Sequence, residues 1–290
     1  MQIVYKSKKR LPPSPDNWDN DRMLVKMAEK AILIRYGEVW LKSAPVRRRF
    51  ERILVDDIRS LFPRGTKVSA IPGRIWVYSD EIPKGLERVF GIVSFSPVAI
   101  CEKSIDAIKA AAKPVVSSWR SGTFAIRARR SDKSFPLNSK QIEIAVAELV
   151  DLPVDLSDPA HELFIEVRDR AYLYERAIAG PGGLPLGTAG KVAAHLRDGD
   201  DLAAAWLLMR RGAVPILIKP KTALQKQLQR WAIGRKLKAV KSAKEAEKLR
   251  AIALIDVRSK RAKEDGLPIL NPLVGFSGTE KAQLLRRIAA

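Results

Sequence analysis

The 290-residue sequence has a single cysteine, Cys101, and only two histidines, His161 and His195. One thiol cannot close an internal disulfide, and this set falls short of a cysteine-rich zinc site, so no metal is expected. The two histidines leave no credible hydrolytic triad, since His195 ends an apolar run and His161 follows the turn-like "SDPA". No apolar run approaches the roughly 20 residues that span a bilayer. The opening "MQIVYKSKKRLPPSPDNWDNDR" lacks the apolar heart of a signal peptide, so a cytoplasmic location without membrane contact is expected. Acidic residues are outnumbered. Against 53 Lys plus Arg stand 32 Asp plus Glu, a formal net charge of +21. That excess favours a polyanion, nucleic acid foremost, through attraction and counterion release, although ordinary solvated basic faces give the same sum.

What is present reads as an α/β multidomain chain. Residues 1–28 form a basic, Pro-containing extension. In residues 29–80 the β-branched run "KAILIRY" suits a strand, and Phe50, Ile53, Leu54, Ile58 and Leu61 repeat at helical spacing. "KVSAIPGRIWVYS" then gives one or two strands broken at Pro72 and Gly73. Residues 81–180 alternate helices and strands again, with a helix capped by Asn138 or Ser139 and a turn at Asp169 and Arg170. Residues 181–290 start a parallel βαβ unit, with a strand near Lys191–Leu196, a helix near Asp201–Arg211 and a strand near Ala213–Lys219. Basic helices, a short strand at Ala251–Val257 and a C-terminal helix at Thr279–Ile288 follow.

Two basic clusters are candidate RNA contacts. In "FAIRARRSDKSFPLNSKQ", Arg127 and Arg129 share a strand face, and Arg130, Lys133, Ser134, Asn138 and Ser139 follow closely. Arginine forks and hydroxyls suit phosphate oxygens, and Phe135 either fills the core or stacks on a base. Arg47, Arg48, Arg49 and Arg52 open the first helix, where cations oppose the helix dipole; an RNA-facing ridge or a plain solvated run both fit.

The glycines of "GPGGLPLGTAG" allow close backbone approach to a phosphate or serve as an interdomain linker, and Lys191 is not followed by Ser or Thr as a Walker loop requires. After the strand "KVAAHL" the loop reads Arg197, Asp198, Gly199, Asp200, Asp201, Leu202. Three carboxylates repel a triphosphate unless magnesium neutralises them, and helix capping explains them equally well.

"LIRYGEVWLK", "FAIRARRSDKSFPLNS", "IEVRDRAYLYERAIAGPGGLPLGTAGKV" and "LPILNPLVGF" occur in the order of landmarks in the tRNA 4-thiouridine synthetases, the thiamine-biosynthesis sulfurtransferases, and the chain resembles that family. The resemblance implies an N-terminal ferredoxin-like domain, a THUMP domain that recognises the acceptor end of tRNA, and a pyrophosphatase-loop domain of adenine-nucleotide α-hydrolase type. The family's "SGGxDS" loop falls on residues 197–202, where only Gly199 and Asp201 match. The resemblance also implies a persulfide cysteine in the third domain, which has none, and that domain looks shortened between Lys219 and Leu267. Cys101 is expected to be buried and inert.

The expectation that follows is a tRNA-binding THUMP protein with a degenerate, truncated nucleotide domain. It would hold the acceptor-stem 3′ end, lack autonomous sulfurtransferase activity and work beside a modifying-enzyme partner, with no cofactor assigned. One alternative is an ATP- and magnesium-dependent tRNA-modifying enzyme with a remodelled loop. Another is a basic protein-binding scaffold.

Overall fold

In a computed structural model the described residues are 29–71, 73–175 and 177–289. The expected basic extension at 1–28 lies outside them. The chain runs β1 (Glu29–Tyr36), α1 (Ala44–Arg59), β2 (Val68–Ile71), β3 (Arg74–Val77), β4 (Ile92–Cys101), α2 (Ile105–Val116), β5 (Phe124–Arg130), α3 (Ser139–Ala147), β6 (His161–Val167), β7 (Ala171–Tyr174) and β8 (Ile178–Ala179). It continues β9 (Lys191–His195), α4 (Gly199–Arg210), β10 (Val214–Ile218), α5 (Thr222–Gln229), β11 (Lys238–Val240), α6 (Ala243–Lys248), β12 (Ala251–Ile255), β13 (Lys263–Glu264), β14 (Leu267–Leu270) and α7 (Gly278–Ala289). The patterning anticipates most of these; β8, β11 and β13, of two or three residues each, are too short for periodicity to register.

The chain folds as two compact units, neither of them one sequential block. The first comprises the described residues up to Ile34, Lys67–Ile82 and Phe95–Ile178; the second comprises Arg35–Thr66, Pro83–Ser94 and the chain from Ala179. One sheet is ordered β2-β3-β1-β4-β7-β6-β5, with β8 beside β4. In the first unit β5 and β6 are parallel, and β7 runs antiparallel to both β6 and β4. Ile108, Ala112 and Val116 of α2 and Ile142 and Val146 of α3 bury themselves on one face of these strands, over Phe124, Ile126, Leu163 and Ile165. Cys101 lies in that core, where burial pushes its thiol up to about 11. The opposite face carries Trp76 against Tyr172 at 4.7 Å between ring centroids, and Arg74 paired with Glu166 at 2.7 Å.

The other sheet is ordered β11-β10-β9-β12-β14-β13, parallel throughout except for the β13–β14 pair. Strands such as "VPILI" are apolar along their length because helices cover both faces. Trp206 of α4, fully buried, is the centre of one core and meets Phe90 at 5.5 Å and Trp231 at 5.2 Å. Ala243 and Ala246 of α6 pack on the opposite face. The connection leaves β9 through α4 and α5 toward β11, then returns to β12 on the other side of β9, which makes the carboxyl ends of β9 and β12 the switch point of the sheet.

The glycine stretch is neither loose nor a free linker. Gly180 and Gly182 donate to the carbonyls of Val93 and Ile92, Leu184 to Arg210, and Gly187 and Ala189 to Gly212, all within the second unit. A Cβ at Gly183 would lie 2.1 Å from the Arg210 carbonyl oxygen. These glycines admit backbone against backbone, not phosphate.

Candidate nucleic-acid interface

The β5–α3 corner gathers most of the first basic cluster. Arg127 and Arg129 share a face of β5, opposite Phe164 and Glu166 of β6. Arg130 turns back on its own loop, donating to the carbonyls of Phe135 at 2.9 Å and Leu137 at 3.4 Å, while its backbone N–H donates to Ser139 Oγ. Phe135 is buried, which settles it as core. Asn138 caps α3 in a reciprocal box with Gln141, the tighter of the two starts expected from the sequence. Asp132 accepts from Lys103 and from the Ser134 N–H, and the Lys103 hydrogen bond holds its carboxyl well below the usual range.

This geometry sorts the expected contacts. Arg127 is committed to Glu162 at 3.1 Å and to the Leu156 carbonyl at 2.7 Å, and Arg130, Asn138 and Ser139 are used in holding the loop. Their side chains are engaged in holding the corner together through satisfied hydrogen bonds. Arg129, Lys133 and Ser134 remain exposed on it. Arg129 and Lys133 have no ion-pair partner among the described residues. An outward guanidinium and ammonium on a braced loop can bind a phosphodiester, with the exposed Ser134 beside them hydrogen-bonded to Asp132.

The second cluster belongs to the other unit. Helix α1 buries Phe50, Leu54, Val55 and Ile58 and leaves Arg48, Arg49 and Arg52 exposed, with Arg47 half-buried and 4.0 Å from Glu51. Glu51 itself is buried and accepts from the Tyr36 hydroxyl at 2.6 Å.

At the β9–α4 loop the expected repulsion among three carboxylates does not arise, because each has a basic partner. Arg258 pairs with Asp198 and Lys281 with Asp200 at 3.0 Å. Asp201, 1% exposed, takes the Arg197 guanidinium at 2.7 and 3.0 Å and the Arg197 N–H at 2.8 Å. Arg197 also reaches Asp256 at 2.7 Å, with His195 3.9 Å from the same carboxylate. Hydrogen bonding to Asp201 holds Arg197 still more firmly protonated; Asp256 is pushed up by burial but held below its ordinary value by Arg197. Gly199 faces Leu285 of α7, which a Cβ would meet at 3.1 Å. Ionised side chains paired with one another, and a glycine turned to a helix, do not fit a triphosphate. Asp256 escaped the sequence reading; its signal was an acid at the end of an apolar strand, where burial demands a cation. Among the described residues no group of acids, histidines and cysteines could hold a metal ion, and no helix is long and apolar enough to cross a membrane.

Residues 31–96 match the model of the ThiI ferredoxin-like domain, and residues 102–175 match that of the THUMP domain. The chain is ThiI-like. A probable tRNA sulfurtransferase from Methanothermobacter thermautotrophicus is 38% identical over 202 residues, which are 64% of this chain and 51% of that protein. The ThiI-like chain thus spans about half the length of the curated relatives it matches. A crystal structure of a Pyrococcus horikoshii Ot3 protein superimposes with a TM-score of 0.75 at 28% identity, covering 90% of this chain and all of that one. A 4-thiouridine synthetase solved with RNA and ATP shares the fold, with a TM-score of 0.74 at 22% identity over 90% of this chain and 85% of that one. These similarities bear out the multidomain α/β expectation of ferredoxin-like and THUMP folds. They contradict the expectation of a chain without autonomous sulfurtransferase activity, since the tRNA sulfurtransferase name is shared by relative after relative at 35–39% identity.

Proposed function

We propose that the protein works in tRNA sulfur transfer, the activity for which its relatives are named, and that it recognises tRNA through the β5–α3 corner. The observation that carries this is the braced loop with Arg129 and Lys133 exposed, and Ser134 exposed beside them, inside the segment matching the THUMP model. On this reading Arg129 and Lys133 meet backbone phosphates, Ser134 adds a hydroxyl, and the single-stranded 3′ acceptor end lies beside them. Arg48, Arg49 and Arg52 of α1 add a second line of phosphate contacts. The chain then divides functionally into a basic extension at 1–28, a ferredoxin-like part at 29–80, a THUMP part at 81–180 and a shortened relative of the pyrophosphatase-loop fold at 181–290. Support for the last comes from the parallel order and switch point of the second sheet.

The test is binding of tRNA with an intact or trimmed 3′ end to the wild-type protein and to the Arg129→Ala, Lys133→Ala double variant. The wild type should prefer the intact end, and the variant should lose both affinity and preference. Equal affinity of the variant for both RNAs at the wild-type level would remove the corner from recognition. Thiolated nucleoside in tRNA, measured in cells with and without the gene, reads the sulfur-transfer part independently.

A further inference from the structure

The carboxyl edge of the second sheet is divided electrostatically. Its switch-point half, at the ends of β9 and β12, is neutralised from within by the Arg197, Asp201, Asp256 and Arg258, Asp198 pairings. Its other half is not. The Lys219 N–H donates to the Val240 carbonyl, which sets Lys219 beside Lys241 at the ends of β10 and β11. The Lys221 N–H donates to the Leu196 carbonyl, which sets Lys221 where the two halves meet, between the ends of β10 and β9. All three lysines are exposed, and none has an ion-pair partner among the described residues. The neighbouring acid, Glu245, accepts from the backbone N–H of Lys241 and from no ammonium group in the described residues.

Charge density makes this more than a scattering of surface lysines. The stretch from Lys219 to Arg250 holds eleven Lys and Arg against two Glu. Three unpaired cations at adjacent strand ends repel one another, an arrangement that costs free energy until a polyanion is brought to it. Lys219 also sits at φ 41°, in the left-handed region that glycine adopts without steric cost, so the backbone itself gives no reason for a lysine there. Helix α5 begins at the same place with no side-chain cap and no acid in its first turn, leaving its positive end uncompensated.

We propose that Lys219, Lys221 and Lys241 form a second RNA-backbone contact, on the second unit, that grips phosphates without reading bases. This rests on the tRNA-binding reading above and adds to it a division of labour. The β5–α3 corner discriminates the 3′ end, and the lysine edge supplies affinity that does not depend on that end.

The test compares the full chain with a Lys219→Gln, Lys221→Gln, Lys241→Gln variant, binding intact and 3′-trimmed tRNA across a salt series. A control carries the same charge loss at exposed lysines elsewhere, Lys30→Gln, Lys84→Gln, Lys113→Gln. Three lost phosphate contacts should flatten the slope of log affinity against log salt by about 2 to 3. Affinity for both RNAs should fall at least tenfold while the ratio between them stays at the wild-type value. A variant that matches the control in affinity and slope overturns the lysine edge and leaves the corner intact. A variant that loses the ratio as well overturns the division of labour. No binding of either RNA by the wild type overturns the tRNA reading and this inference together. Circular dichroism and melting of each variant confirm that charge alone has changed.

Discussion

Arg235, on the segment between α5 and β11, reaches Asp57 of α1 at 3.2 Å, and so ties a helix from early in the chain to the sheet built late in it. The pair lies inside the second unit, with Asp57 5% exposed. Burial raises the Asp57 carboxyl to about 7 in spite of the opposing pull of Arg235. A carboxyl whose folded-state value exceeds its unfolded one favours folding while protonated, and that advantage is lost as pH rises through 7. Asp57→Asn mimics the protonated form at every pH. Wild-type melting temperature should therefore gain on that of Asp57→Asn as pH falls from 8 to 5. A constant gap would show that Asp57 does not titrate in this range.

Arg197 is the sole cation paired with buried Asp201 among the described residues, so its removal strands a charge. Arg197→Ala should cost about 3 kcal/mol, the lower end for breaking a buried pair, because the guanidinium is itself one-third exposed. Urea unfolding measures it. A loss under about 0.5 kcal/mol would mean that water replaces the guanidinium freely.

Arg130 and Arg129 are neighbours in sequence with opposite roles. Arg130→Met leaves two loop carbonyls without their donor and should lower stability by about 1–2 kcal/mol. Arg129→Ala should leave the melting temperature nearly unchanged and weaken tRNA binding. Interchanged outcomes would reverse the assignment of brace and contact.

Gly183 and Gly65 both hold positive φ, 77° and 93°, but only one is enclosed. An added methyl at Gly183 meets a backbone oxygen at 2.1 Å, whereas at Gly65 it meets nothing within 4 Å. Gly65→Ala should cost about 1 kcal/mol from strain alone, and Gly183→Ala should exceed the roughly 3 kcal/mol upper bound for such strain. Equal melting temperatures for the two variants would show that the strap at Arg210 gives way.

The sequence by itself determined the element types. Periodicities of two and 3.6 set most strands and helices, Asn138 or Ser139 marked the start of α3, and the +21 charge pointed to a polyanion. These are local or additive properties, carried by neighbouring residues or by their sum. Only the tertiary structure decided which basic residues are spent and which are free. Arg127 and Arg129 are equivalent in pattern, yet Glu162, 35 positions away from Arg127, takes one and leaves the other exposed. Asp201 read as a remnant of a phosphate loop until Asp256, brought beside Arg197 by the return of the chain to β12, completed its network. The lysine edge has no sequence motif, since parallel pairing alone sets Lys219 beside Lys241. Electrostatic pairing falls steeply with distance in space and is indifferent to distance along the chain, so its outcome is written only when the strands are in order.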